Sequence, residues 1–212
     1  MMRRREMMQA ENILPSAYYA VEYLESSGTQ YIDSGIECTS DLIVDFGFSA
    51  LTDVNLALCG GIDLRGNPTY FRHHCSPHTN FGYSNLYWMQ YNSGGVEIKC
   101  ASFTFDVKHT LTVNPVTGRA VLDGATLAFT SLASGYTTGK SYGIFARIDN
   151  TGALQSRPSK IYYFKFYRNG ALIGDFLPCV RRSDSKPGMY DTVTKAFFVN
   201  AGSGEFTAGP NV

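Results

Sequence analysis

Charge is scarce in this chain, and neither sign is in excess. Lys and Arg number 18, as do Asp and Glu, so the formal net charge is +0. Charged residues make up 17% of the 212 positions, against about 25% in an average soluble domain. Without a basic surplus, binding driven by phosphate attraction is not expected, which argues against a nucleic-acid partner. No apolar run approaches the ~20 residues that span a bilayer, so no membrane span is expected. The five cysteines, Cys38, Cys59, Cys75, Cys100 and Cys179, are odd in number and widely spaced, which argues against a disulfide framework. They read as small hydrophobes in a chain folded in a reducing cytoplasm. After Ser16 no ten-residue stretch carries a capped, 3.6-residue apolar stripe. Internal repeats and a dividing linker are also missing.

Aromatic residues and glycine are plentiful instead. There are 14 Tyr, 14 Phe and 21 Gly, with a single tryptophan at Trp88. Such a chain is too apolar for its charge to be disordered. At this size about 70% of its unfolded surface is expected to be buried on folding.

The periodicity is that of strands. Leu42, Val44, Phe46 and Phe48 alternate with Asp41, Ile43, Asp45 and Gly47, and Leu111 and Val113 alternate with Thr110 and Thr112. Asp123-Gly124 and Asn169-Gly170 are hairpin signals linking runs at 119–122 and 126–129, and at 161–168 and 171–177. A last run covers 196–200. Aromatics on both sides of the 161–167 run predict a central strand covered on both faces. The pattern implies an all-β sandwich of two antiparallel sheets. At the start, Arg3, Arg4 and Arg5 resemble the charged part of a signal peptide, but Gln9 to Asn12 supply no apolar core. Residues 1–16 are therefore read as a tail or docking segment, and 17–212 as the folded domain.

Several segments resemble one family. They are Tyr23-Leu24-Glu25-Ser26-Ser27-Gly28-Thr29-Gln30-Tyr31-Ile32-Asp33-Ser34-Gly35, the hairpin from Lys108 to Gly124, and Lys160 to Gly170. To these add Asp175-Phe176-Leu177-Pro178-Cys179, Arg181 to Asp184, Gly188 to Asp191, and Phe197 to Phe206. Together they resemble the concanavalin A-like (LamG-like) jelly-roll module, across about residues 19–209. That module is common in bacteriophage structural proteins, prophages and gut-bacterial surface proteins. The resemblance implies a jelly-roll sandwich that decorates or binds rather than catalyses. It also implies a place on a virion assembled in the host cytoplasm, or alternatively on a bacterial cell surface. Other virion proteins, or a second copy of the chain, would then be partners of the N-terminal tail. Fold does not settle function, because one sandwich hosts unrelated activities.

The chemistry must be sought in side chains. A retaining glycosidase needs two carboxyl groups about 5–5.5 Å apart. The E-x-D-x-x-E strand pattern is missing, Glu22 and Glu25 fall on opposite faces of a strand, and Asp41 and Asp45 alone read as solvated. No catalytic residues are assigned. Arg72-His73-His74-Cys75-Ser76-Pro77-His78 has zinc-like residue types, but adjacent histidines diverge on an extended chain and Pro77 suggests an exposed loop. No metal ligand is assigned there. Calcium, used by some such modules, finds only Asp149-Asn150 as a candidate contributor. A host-surface glycan is the better candidate. Aromatic rings stack on the apolar face of a sugar, and Arg, amide and carboxylate groups bind its hydroxyls. Tyr70, Arg72, Tyr87, Trp88 and Tyr91 concentrate such groups in the least family-like part of the chain, and Arg147 with Asp149 forms a second patch. Arg181, Arg182, Asp184, Tyr190 and Asp191 are expected to be structural, with aspartates capping turns and an arginine held by a carboxylate.

Overall fold

Turn chemistry sets the strand ends. Asp123 and Gly124 have φ of 49° and 85°, and Asn169 and Gly170 have φ of 51° and 77°. Two consecutive left-handed residues are what a two-residue type I′ hairpin requires. The computed structural model describes residues 14–63, 71–80, 83–91, 94–100, 103–131, 135–149 and 154–212. Among the described residues there is no helix, and hence none long and apolar enough to cross a membrane. The strands are β1 (Tyr18–Ala20), β2 (Leu24–Ser27), β3 (Ile32–Thr39), β4 (Ile43–Ala50), β5 (Cys59–Asp63), β6 (Phe71–Asn80), β7 (Tyr83–Tyr91), β8 (Gly94–Cys100), β9 (His109–Asn114) and β10 (Arg119–Leu122). They continue with β11 (Ala125–Ala128), β12 (Thr137–Ile144), β13 (Ala146–Asp149), β14 (Leu154–Ser156), β15 (Pro158–Arg168), β16 (Ala171–Arg181), β17 (Lys186–Asp191), β18 (Ala196–Val199) and β19 (Thr207–Ala208).

These strands make an all-β sandwich of two sheets. The larger runs β11-β10-β9-β4-β15-β16-β17-β18, with β1 on β16 and β2 between β15 and β19. The smaller runs β14-β13-β5-β6-β7-β8, with β12 pairing both β5 and β3. Pairing is antiparallel except for β13, which lies parallel to β5.

The core fills the space between the sheets. Phe46, Phe48, Leu111, Val113, Ile161, Phe164, Phe166 and Phe176 come from the larger sheet, and Ile32, Cys38, Cys59, Cys75, Tyr142 and Ile144 from the smaller, all fully buried. Phe46 stacks on Phe164 at 4.6 Å between ring centroids, and Tyr142 meets Phe166 edge-on at 5.3 Å. Each such ring contributes about 1.5–3 kcal/mol by leaving water.

Two expectations need correction. β15 is central, but only one of its faces is fully buried. A register irregularity between Ile161 and Tyr163 puts Tyr162 and Tyr163 in succession on the half-buried face, as an inserted residue does. Their rings keep polar ends: the Tyr163 hydroxyl donates to Asp45 at 3.2 Å, and the Tyr162 hydroxyl lies 3.1 Å from Ser49. Residues 73–78 are not an exposed loop. They lie in β6, with His73, His74 and His78 only 0%, 3% and 6% exposed. Pro77, which has no N–H to give a ladder, sits at the irregularity between Cys75 and His78, a position where a strand tolerates proline.

Candidate functional site

The best-defined polar site stands on β13. Between the end of β12 and the start of β13, Phe145 adopts φ of 71°. A bulky side chain in this region marks a tight turn held against strain. Its ring is fully buried and packs on Phe206 at 4.7 Å, which fixes the turn. As a result the chain passes β5 twice. Gly143 and Ile144 pair antiparallel with Gly60 and Cys59, and Arg147 and Asp149 then pair in parallel with Gly60 and Ile62.

Arg147 and Asp149 are two residues apart on one strand and so share a face. Burial holds the Arg147 guanidinium below the ordinary arginine range, and the Asp149 carboxylate opposes that shift. The Nε of Arg147 is buried and has no hydrogen-bond partner among the described residues. Asp149 is 7% exposed. The strand thus sets one buried guanidinium beside one carboxylate.

Strand register extends the site across the smaller sheet. Arg147 lies in one cross-strand row with Gly60, His74, Trp88 and Glu97. Asp149 lies in the next row of the same parity with Ile62, Arg72, Gln90 and Gly95. Tyr87 falls instead in the row of Cys59, Cys75 and Ile98, three residues of the core. Tyr91 pairs with Phe71, in the row of Asp63. Register therefore groups Trp88 and Arg72 with Arg147 and Asp149, and separates Tyr87 and Tyr91 from them. All of Tyr70, and the side chains of Arg72, Tyr87, Trp88 and Tyr91, lie outside the described residues.

Asn150, the partner proposed for Asp149 in calcium binding, also lies outside the described residues. Among the described residues no three His, Cys, Asp or Glu side chains cluster as a metal site needs.

Two of the residues expected to be structural bind each other, and a third caps a turn. Arg181 grips Asp184 with Nε at 3.0 Å and Nη2 at 2.6 Å, and the Asp191 carboxylate accepts from the backbone of Asp175, Val193 and Thr194.

Two polar features escape a reading of the sequence. Arg157 is fully buried, with Nη1 donating to the Pro77 carbonyl, and burial lowers its pKa to about 10. No local pattern marks it, because its cover comes from β6, 80 positions away. On the outer face of the larger sheet, Lys108 stands 4.3 Å over the Tyr162 ring and Lys160 stands 5.1 Å over Tyr23. Each lysine covers one face of its ring. The alternation around Lys160 and Tyr162 could have signalled this patch.

No family model matches the chain, and no curated protein is found similar to it.

Proposed function

We propose that this chain is a non-enzymatic binding module, a concanavalin A-like jelly roll carried on a bacteriophage particle as a tail, fibre or head decoration. It holds a host-surface glycan on the Arg147–Asp149 face of the smaller sheet. The observation that carries the reading is the Arg147 guanidinium, whose buried Nε lacks a hydrogen-bond partner among the described residues beside the Asp149 carboxylate. A buried donor left unbonded costs about 1–3 kcal/mol, and a ligand hydroxyl that displaced the atoms covering it would recover that. Trp88 stands in the Arg147 row, and its ring would supply the stacking surface. A neutral chain suits an uncharged sugar. In this reading residues 1–16, with Arg3 to Arg5, dock the module to other virion proteins or to a second copy.

A glycan array with the full chain tests the reading. Binding by the wild type, weakened at least tenfold in Arg147→Ala and in Trp88→Ala, supports it. The absence of binding to any glycan, or equal binding by the variants, removes the ligand. Release of reducing sugar from a bound glycan would overturn the non-enzymatic assignment. Deletion of residues 1–16 should abolish incorporation into particles, and unchanged incorporation would refute the docking role.

A further inference from the structure

Cys59 on β5 and Cys75 on β6 are direct cross-strand partners. Facing residues of an antiparallel pair have Cα atoms about 4.5–5.5 Å apart, within the 4.4–6.8 Å a disulfide spans, and their side chains leave the sheet on the same side. Both residues are fully buried on the core side. The strands are fastened at this level, because the Leu58 N–H donates to the Cys75 carbonyl at 2.8 Å. In the neighbouring pair, Gly60 and His74 approach so closely that a Cβ on Gly60 would lie 2.3 Å from that of His74. Both residues are thiols in the structure, each in a weak contact: Cys59 Sγ lies 3.5 Å from the Tyr142 hydroxyl, and Cys75 Sγ lies 3.3 Å from the Leu86 carbonyl. Closing the bond exchanges those two contacts for it.

We infer that Cys59 and Cys75 are an oxidisable pair that closes to a cross-strand disulfide when the chain meets a peroxide-class oxidant. Each thiol gives up its hydrogen and one S–S bond forms. The O–O bond of one hydrogen peroxide is reduced, and two waters leave. The bond staples β5 to β6, the two strands that carry Gly60, Ile62, Arg72 and His74 of the rows beside Arg147. The inference does not depend on glycan binding.

Cys38 is the rival partner. It lies against Gly61, and its Sγ is 4.0 Å from the His73 carbonyl. However, it stands on β3, which pairs with β12 and not with β5.

Chymotryptic mapping of the full chain distinguishes these pairings. Cleavage after Tyr31, Leu42, Leu58, Leu64, Phe71 and Phe81 puts Cys38, Cys59 and Cys75 on separate peptides. The protein is treated with hydrogen peroxide, natively and in urea just below its unfolding midpoint so that opening does not limit the reaction. It is then acid-quenched, alkylated and digested. The expected product is peptide 59–64 joined to peptide 72–81, lighter by two hydrogens and separated by dithiothreitol. A link to the Cys38 peptide overturns the inference, as does recovery of Cys59 and Cys75 as alkylated thiols or as singly oxidised sulfur acids. Cys75→Ala must lose the joined peptide, and a Cys59 link elsewhere in that variant at wild-type yield also counts against the pair.

Discussion

Gly60 and His74 face each other across β5 and β6 with no room for a side chain at position 60. A Cβ there would stand 2.3 Å from the His74 Cβ and 2.4 Å from the His73 carbonyl oxygen, and Gly60 holds φ of +133°. Gly60→Ala therefore has to separate two strands as well as strain the backbone. It is expected to destabilise by more than about 3 kcal/mol, beyond the usual range for one substitution. Gly124→Ala is the control, since Gly124 also has positive φ, +85°, but nothing lies within 4 Å of its added Cβ. That variant should lose only about 1 kcal/mol. Urea unfolding of both variants checks the comparison, and equal losses would refute the steric argument.

Phe164 is the ring on which both sheets converge. It stacks on Phe46 at 4.6 Å, meets Phe166 at 4.8 Å, and reaches Tyr142 of the opposite sheet at 5.8 Å. Phe164→Ala leaves a cavity where three rings meet, and the expected loss is about 3–5 kcal/mol. For a chain of this size that corresponds to roughly 6–20 °C in Tm. A calorimetric shift of only a degree or two would show that the neighbouring rings collapse into the space.

Strands whose register is set by neighbours in sequence were legible beforehand. The β10–β11 and β15–β16 hairpins follow from Asp123-Gly124 and Asn169-Gly170. In β9, Leu111 and Val113 are buried while Thr110 is exposed and Thr112 half-buried, as their alternation requires. β6 was not legible. Its His73, His74 and Pro77 look like loop residues until β5 and β7 pair with that strand, and that pairing is a long-range fact. The same limit applies to the site. Arg147 and Asp149 are a recognisable pair on one strand, and Trp88 is conspicuous as the single tryptophan. Their common parity depends on β13 meeting β5, which depends on the left-handed turn at Phe145, a residue type that gives no sign of it.

His73 is held neutral by its surroundings. Burial lowers its pKa to about 3, outweighing the Thr39 backbone and the Asp41 carboxylate, which act the other way. An unfolded histidine binds a proton below about pH 6.5. Between pH 6.5 and about 3 protons therefore favour the unfolded chain, and stability falls as pH falls through that window, by up to about 1.4 kcal/mol per pH unit. The folded chain keeps the full contribution above pH 6.5. In His73→Leu this one-proton slope should vanish, whatever the variant's stability at neutral pH. Urea midpoints at half-unit pH steps test the claim, and an unchanged slope would assign the acid sensitivity to other groups.

Asp191 gathers four donors onto one buried carboxylate. Oδ1 accepts from the N–H groups of Asp175 at 2.8 Å and Val193 at 3.1 Å, and Oδ2 accepts from the Thr194 N–H at 3.2 Å and hydroxyl at 2.6 Å. The side chain thus fixes the β17–β18 turn and ties it to β16. Asp191→Asn keeps the shape but replaces one acceptor with an NH₂ group. Either orientation of that amide leaves an N–H facing another donor, so the isosteric change should still cost about 1–3 kcal/mol. Asp191→Ala removes all four acceptor contacts and should cost more. Amide hydrogen exchange locates the effect: the Asp175, Val193 and Thr194 amides should lose protection in both variants, while the β9–β10 hairpin keeps its own. Uniform loss across the sandwich, or full protection of those three amides in Asp191→Asn, would show that the turn is held by its backbone and not by this carboxylate.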